Sequence, residues 1–176
     1  MIATRLNLTH RLAFLQMLAD YAVLDPANGK MYERGREDFP AYLQRMDDDE
    51  AGASLPPGCV PSSHRWLLED NGVIAGIVRI RHNIGTIFLA EEIGHIGYDV
   101  PPSFRGKGHG IACLKTGLEI ARTLGLERVL VCADTDNPAS WRTIEHCGGI
   151  LEAERISPYY KKLFRRYWIK TGIAYS

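Results

Sequence analysis

The sequence predicts one α/β domain of the α+β kind, a mixed sheet flanked by helices, and three observations predict it. Strand-like and helix-like runs alternate from His95 to Cys147. Asn71-Gly72 stands between two strand-like runs, the pairing expected of a β-hairpin. Two further strand-like runs, Ile150 to Ile156 and Leu163 to Ile169, flank Ser157-Pro158-Tyr159-Tyr160. With 176 residues, a single domain over 1–176 is the expectation, and the chain is long enough to bury a core.

In chain order, Ile2 to Leu6 reads as a short opening strand. Thr9 is the expected N-cap of a helix with the stripe Leu12, Leu15, Ala19 and Ala22, ending near Asp25-Pro26. A second helix near Glu37 to Met46 offers Phe39, Tyr42, Leu43 and Met46, with Pro40 in its first turn. Asp47-Asp48-Asp49-Glu50 and the Pro- and Gly-rich run to Ser63 read as a loop, either a solvated surface or an acidic rim for a cationic amine. His64 to Asp70 and Val73 to Arg81 are the two hairpin strands. A type I′ turn is expected at Asn71-Gly72, because that turn needs positive φ at both central residues. Gly85 to Glu92 is a connection and His95 to Val100 a strand.

The densest local signal follows. Arg105-Gly106-Lys107-Gly108-His109-Gly110 leads straight into a helical stripe of Ile111, Leu114, Leu118 and Ala121, stopped at Gly125. A glycine-dense turn before a helix gathers backbone N–H groups with no Cβ in the way, and the positive end of the helix dipole favours an anion such as a diphosphate. The P-loop pattern is absent, since Gly108 follows Lys107, and the dinucleotide fingerprint fails on glycine spacing. Arg128 to Ala133 is an apolar run suited to a strand buried on both faces. Asn137-Pro138 then caps a helix that passes Trp141 and Ile144 and stops at Gly148-Gly149.

Bulk composition narrows the function classes. Hydrophobic residues make up 45% and charged residues 24%, ordinary values for a globular chain. Twenty-one basic residues balance twenty-one acidic ones, so neither nucleic acid nor a membrane surface is expected as partner. Cys59, Cys113, Cys132 and Cys147 show no metal-ligand spacing, and no metal is expected. Without a signal-peptide pattern or a long apolar run, the cytoplasm is the expected compartment.

The strand His95 to Val100, the loop Arg105 to Gly110 and the helix after it resemble the acyl-CoA pyrophosphate loop of the GCN5-related N-acetyltransferases. Asn137-Pro138-Ala139-Ser140, after the strand ending at Ala133, is similar to that family's pantetheine-contacting segment. The likeness covers roughly residues 64 to 170. It implies a mostly antiparallel sheet in which the strands ending at Val100 and near Ala133 run parallel and splay apart, admitting the pantetheine arm beside Tyr98 to Val100.

The activity it implies is transfer of an acetyl group from acetyl-CoA to a primary amine, on a small molecule or a protein, by direct attack in a ternary complex. The cofactor-binding set is then Tyr98, Val100, Arg105, Gly106, Lys107, Gly108, His109, Gly110, Ile111, Asn137 and Ser140, with the Val100 N–H on the thioester carbonyl. His95 is the expected base, its ordinary pKa near 6.5 suiting proton acceptance. Glu91 and Glu92 are the alternatives, and Glu92 joins His95 in the catalytic set. Where many relatives carry an acid-donating tyrosine, this chain has Ile144; a thiolate of pKa about 8.5 can leave with little help, and Tyr159 or Tyr160 of the final loop is either a reachable acid or a surface and packing residue. That departure keeps open a non-catalytic acyl-CoA-binding sensor or assembly subunit, and an unrelated nucleotide-binding module is a third reading. The acceptor pocket is expected between the N-terminal helices and the last loop, and a homodimer is among the assemblies expected.

Overall fold

A computed structural model of the protein describes residues 1–172. Seven strands form two sheets: β1 (Ile2–Thr4), β2 (Ser62–Leu68), β3 (Ile74–Arg81) and β4 (Ile96–Asp99) lie in the order β1-β2-β3-β4, and β5 (Arg128–Asp134), β6 (Ile150–Ile156) and β7 (Leu163–Lys170) in the order β5-β7-β6. Every ladder is antiparallel. Helices α1 (Arg11–Leu24), α2 (Pro26–Gly29), α3 (Glu33–Glu37) and α4 (Phe39–Ala51) fall between β1 and β2; α5 (His109–Thr123) follows β4, and α6 (Pro138–His146) follows β5.

Two apolar clusters hold this arrangement. In one, Leu114, Leu118 and Ala121 of α5 pack with Val78 and Ile80 of β3, Val129 and Val131 of β5, and Tyr167 and Ile169 of β7, so α5 spans both sheets. In the other, Phe14, Tyr21, Tyr32 and Phe39 of the N-terminal helices pack around Trp66 of β2, with rings such as Phe14 and Trp66 edge to face at 5.6 Å. Burying one such side chain contributes about 1.5–3 kcal/mol, which anchors the N-terminal helices to the first sheet.

Several expectations need correction. Asn7, not Thr9, caps the first helical turn, its Oδ1 accepting from the Thr9 N–H at 2.9 Å. The buried face of α1 is Phe14, Met17, Leu18 and Tyr21, whereas Leu12 is 68% exposed. Apolar residues run round the whole helix, and the aromatic stripe, having more area to bury, faces inward. Asp47 to Glu50 are the last turn of α4 rather than a loop. Asp49 pairs with Arg45 at 2.6 Å and Glu50 with Arg5 at 2.8 Å and Arg65 at 2.9 Å, so no loose acidic rim forms.

The hairpin lies where expected but turns differently. Gly72 donates to the Glu69 carbonyl at 2.8 Å and has φ +81°, while Asn71 is not among the residues with positive φ. This is a type I turn followed by a left-handed glycine, with Asn71 Oδ1 accepting from the Val73 N–H at 3.1 Å.

Candidate active site

β4 and β5 belong to different sheets and touch at one end. The His95 N–H donates to the Leu130 carbonyl at 2.7 Å, the Leu130 N–H donates back to His95 Nδ1 at 3.0 Å, and Gly94 bridges Val131. Gly94 sits at φ +77°, and a Cβ there would run into the Leu130 carbonyl, so only glycine lets the chain approach β5 this closely. The bridge itself has antiparallel geometry, because the backbone is turning at Gly94. Beyond this junction the strands part around a cavity of about 330 Å³, with Ile96 and Gly97 on one wall and Cys132, Ala133 and Asp134 on the other. Both strands advance from the junction along this cavity, which is the splayed pair that the sequence led us to expect.

Past β4, Pro102–Phe104 makes a single 3₁₀ turn and the glycine loop leads into α5. Gly106 and Gly108 have φ of +74° and +86°, and nothing lies within 4 Å of the position a Cβ would take at either. The earliest i→i−4 bond is from Ala112 N–H to the Gly108 carbonyl at 3.2 Å, so the N–H groups of His109, Gly110 and Ile111 precede any intrahelical acceptor. Open space in front of two glycines and a helix N-terminus is a fit for a diphosphate.

The basic side chains of this loop do something other than expected. Arg105 pairs with Asp25 at 2.5 Å and donates to the Val100 carbonyl at 3.0 Å. Lys107 donates to the Ser103 carbonyl at 2.9 Å. The His109 ring lies 3.1 Å from the Phe104 carbonyl and 2.6 Å from a Glu69 carboxylate oxygen. These side chains are engaged within the protein and fix the loop's shape.

The expected pantetheine contacts converge. Asn137 Oδ1 accepts from the Ser140 N–H at 3.1 Å and caps α6, and both residues line the cavity. The Tyr98 hydroxyl reaches the Ser140 carbonyl at 3.1 Å and hydroxyl at 3.0 Å, tying β4 to α6, and the Tyr98 ring lies 3.6 Å from where a Cβ on Gly110 would sit.

Of the two catalytic candidates, the geometry separates one from the other. Glu92 sits in a π-helical turn, Leu89–Ile93, closed by the Gly94 N–H on the Leu89 carbonyl at 2.8 Å. It is 7% exposed, lines the cavity, and its Oε2 is buried with no hydrogen-bond partner among the described residues. Glu91 next to it is exposed and pairs with Arg155 at 2.5 Å. His95 is 5% exposed and does not line the cavity. Its Nδ1 lone pair is taken by the Leu130 N–H, which leaves the ring proton on Nε2. Burial, with Arg81 adding to it, pushes its pKa down to about 4. The expectation of His95 as base is corrected on those grounds: it holds the β4–β5 junction.

Other cavity residues escaped the sequence reading. Arg79 and Arg81 line one wall, Arg79 paired with Asp99 at 2.6 Å, the carboxylate that also accepts from the Tyr32 hydroxyl at 2.6 Å. Strand periodicity held the signal: in Val78-Arg79-Ile80-Arg81 the apolar pair enters the core and both arginines share the other face. Tyr160 and Lys162 line the far side, as expected of the last loop, but no residue of α1 to α4 does. Ile144 is fully buried in the core, out of reach of chemistry. Among the described residues no cluster could hold a metal ion, and no helix is long and apolar enough to cross a membrane.

Comparison with known proteins adds the following. Residues 26–148 match the family model described as the acetyltransferase (GNAT) family. Mycobacterium smegmatis RimJ, solved in complex with CoA-disulfide, superposes with a TM-score of 0.69 at 19% identity, over 96% of this chain and 80% of that one. The ribosomal-protein-S5-alanine acetyltransferase of Vibrio fischeri gives 0.68 at 13% identity, over 97% and 92%. A chimera of the spermidine N-acetyltransferase SpeG of Vibrio cholerae with hSSAT gives 0.66 at 14% identity, over 97% and 95%. No curated protein matches by sequence.

Proposed function

The chain belongs to the GNAT acetyltransferase family, and from that premise we propose that it transfers an acetyl group from acetyl-CoA to a primary amine held in the β4–β5 cavity. The observation that carries this reading is the Oε2 of Glu92, without a hydrogen-bond partner among the described residues and buried in the wall of the cavity between β4 and β5 that Asn137 and Ser140 also line. A buried carboxylate oxygen without a donor costs about 1–3 kcal/mol or more, and an amine entering the cavity supplies that donor.

The roles follow from position. The amides of His109 to Ile111 face the diphosphate, with Gly106 and Gly108 giving it room. The edges of β4 at Tyr98 to Val100 and the Asn137–Ser140 segment flank the pantetheine arm, and the Val100 N–H is the carbonyl contact. When bound, acetyl-CoA supplies a thioester carbonyl open to attack by a neutral amine. An alkyl ammonium of pKa about 10 is mostly protonated near neutrality, so removal of its proton is the first requirement. Glu92 takes that proton. The amine nitrogen then bonds to the acetyl carbon, the carbon–sulfur bond breaks with its electron pair leaving on sulfur, and the nitrogen gives up its second proton to solvent to leave the neutral amide. Tyr160, on the far wall, is the hydroxyl we assign to protonate the thiolate; a thiolate of pKa about 8.5 also leaves without help.

The test is thiol release from acetyl-CoA across an amine panel, in wild type and Glu92→Gln. We predict that Glu92→Gln lowers kcat by about 10²–10³-fold, while CoA affinity in calorimetry changes less than twofold. An unchanged kcat removes Glu92 as base. CoA binding without thiol release from any amine would instead favour the sensor reading that buried Ile144 keeps open.

A further inference from the structure

Resting on the transferase reading above, we infer that the acceptor amine carries a carboxylate, as a free α-amino acid does, and that Arg81 is the residue that reads it. Three observations bear on this. Arg81 lines the same cavity as Glu92, yet the two opposite charges do not pair with each other. The side-chain bond recorded for Arg81 is one, from Nη1 to the Gly94 carbonyl at 3.2 Å, whereas Arg79 two residues earlier meets Asp99 and the Tyr32 hydroxyl. Arg81 forms no ion pair with a carboxylate among the described residues, although a guanidinium has five donors in a fork suited to one.

Burial and the neighbouring Arg79 push the Arg81 pKa down to about 10, so the guanidinium stays charged near neutrality while lacking a counter-ion. A cation and an anion fixed apart on the walls of one cavity each have unmet hydrogen-bonding capacity. A zwitterion satisfies both at once: its ammonium donates to Glu92 Oε2, and its carboxylate accepts from Arg81. A polyamine, with no anionic group, would leave Arg81 unmet and add a second positive charge beside it. Lys162, on the opposite wall, is already 3.7 Å from Asp134 and is the weaker candidate for this role.

A carboxylate on the donor's acyl chain, as in succinyl-CoA, offers Arg81 the same chemistry, and the experiment separates the two sources. Thiol release is measured with each amino acid and with its carboxamide, with spermidine, and with acetyl-CoA and succinyl-CoA as donors. Binding of the same amino acids and carboxamides to the CoA-loaded protein is followed by calorimetry. Wild type is expected to prefer an amino acid over its carboxamide by about 10- to 100-fold in kcat/KM and in affinity. Arg81→Gln should lose most of that preference without changing CoA affinity, and Arg81→Lys should keep part of it. Thermal melts of each variant verify folding.

Equal use of carboxamides, a preference for spermidine, no amino-acid binding to the CoA-loaded protein, or an undiminished preference in a folded Arg81→Gln would each overturn the inference. Activity with succinyl-CoA but not acetyl-CoA, lost in Arg81→Gln, would move the carboxylate to the donor and equally overturn it. Absence of CoA binding in wild type would instead bring down the transferase reading on which the inference rests.

Discussion

A buried histidine and a buried glutamate, three residues apart, carry opposite duties here. His95 spends its one lone pair on the Leu130 N–H, so replacing it tests structure, not proton transfer. Asparagine can place Oδ1 where Nδ1 now lies, whereas alanine leaves a buried N–H unpaired at a cost of about 1–3 kcal/mol. We predict that His95→Ala lowers the unfolding free energy by that amount in urea titrations, and that His95→Asn recovers most of it. The same burial sets a pH dependence. With a folded pKa of about 4 against the ordinary 6.5, His95 stays neutral in the folded state, while the unfolded chain takes up a proton as pH falls below about 6.5. The His95 contribution to stability therefore declines from about pH 6.5 to about pH 4 and is constant below that. His64, pushed to about 4 by burial and then Arg79, acts in the same direction. The His95 share is on the order of 2–3 kcal/mol, and the slope in His95→Asn should be shallower. At this scale the sequence was only half legible: Glu92 was in view, but which of two candidates had a free lone pair depends on a contact 35 residues away.

Among the elements, the glycine loop and the α6 cap are short-range devices written in local sequence, whereas the β4–β5 junction joins residues 35 apart and was not. Gly106 and Gly108 of the loop leave open space where a Cβ would stand, as their density suggested, and Asn137-Pro138 caps α6 as read. Gly94 was not singled out, because its need comes from a carbonyl on another sheet. We predict that Gly94→Ala destabilises the protein by at least 2 kcal/mol, since it combines a positive φ with a collision against Leu130, and that CoA affinity falls as the split closes or slips. Urea titration and calorimetry on the one variant read both effects. The hairpin and α1 show where local pattern stops. Asn-Gly fixed the place of the turn but not its type, and a helix apolar on all sides offered two stripes of equal spacing, between which only the aromatic cluster around Trp66 could choose.

For the whole molecule, two sheets that meet at one end and part at the other define the working space. α5 spans them as a common brace, and the glycine loop leads from the end of β4 into its N-terminus. The N-terminal helices serve from behind: Tyr32 and Arg79 share Asp99 at the end of β4, and Asp20 and Asp25 hold Ser103 and Arg105 of the loop. That support links residues about 80 apart in sequence, which is why the first 60 residues could be read as helices but not assigned a task. The acceptor side suffered most, because its walls come from β3, the turn at Glu92 and the last loop together. The fold and the shape of the glycine loop were legible because they rest on glycine and capping chemistry; the charged walls of the cavity rest on long-range placement.

The backbone amides from Gly106 to Ile111 as the seat of the diphosphate are the premise on which the functional account depends. Calorimetric titration of CoA into wild type, Gly108→Asn and Gly108→Asp tests it most directly. Asparagine and aspartate both tolerate the left-handed backbone at Gly108 and differ in charge. The account predicts that the aspartate variant binds CoA at least tenfold more weakly than the asparagine variant. Equal affinity in the three proteins would contradict it.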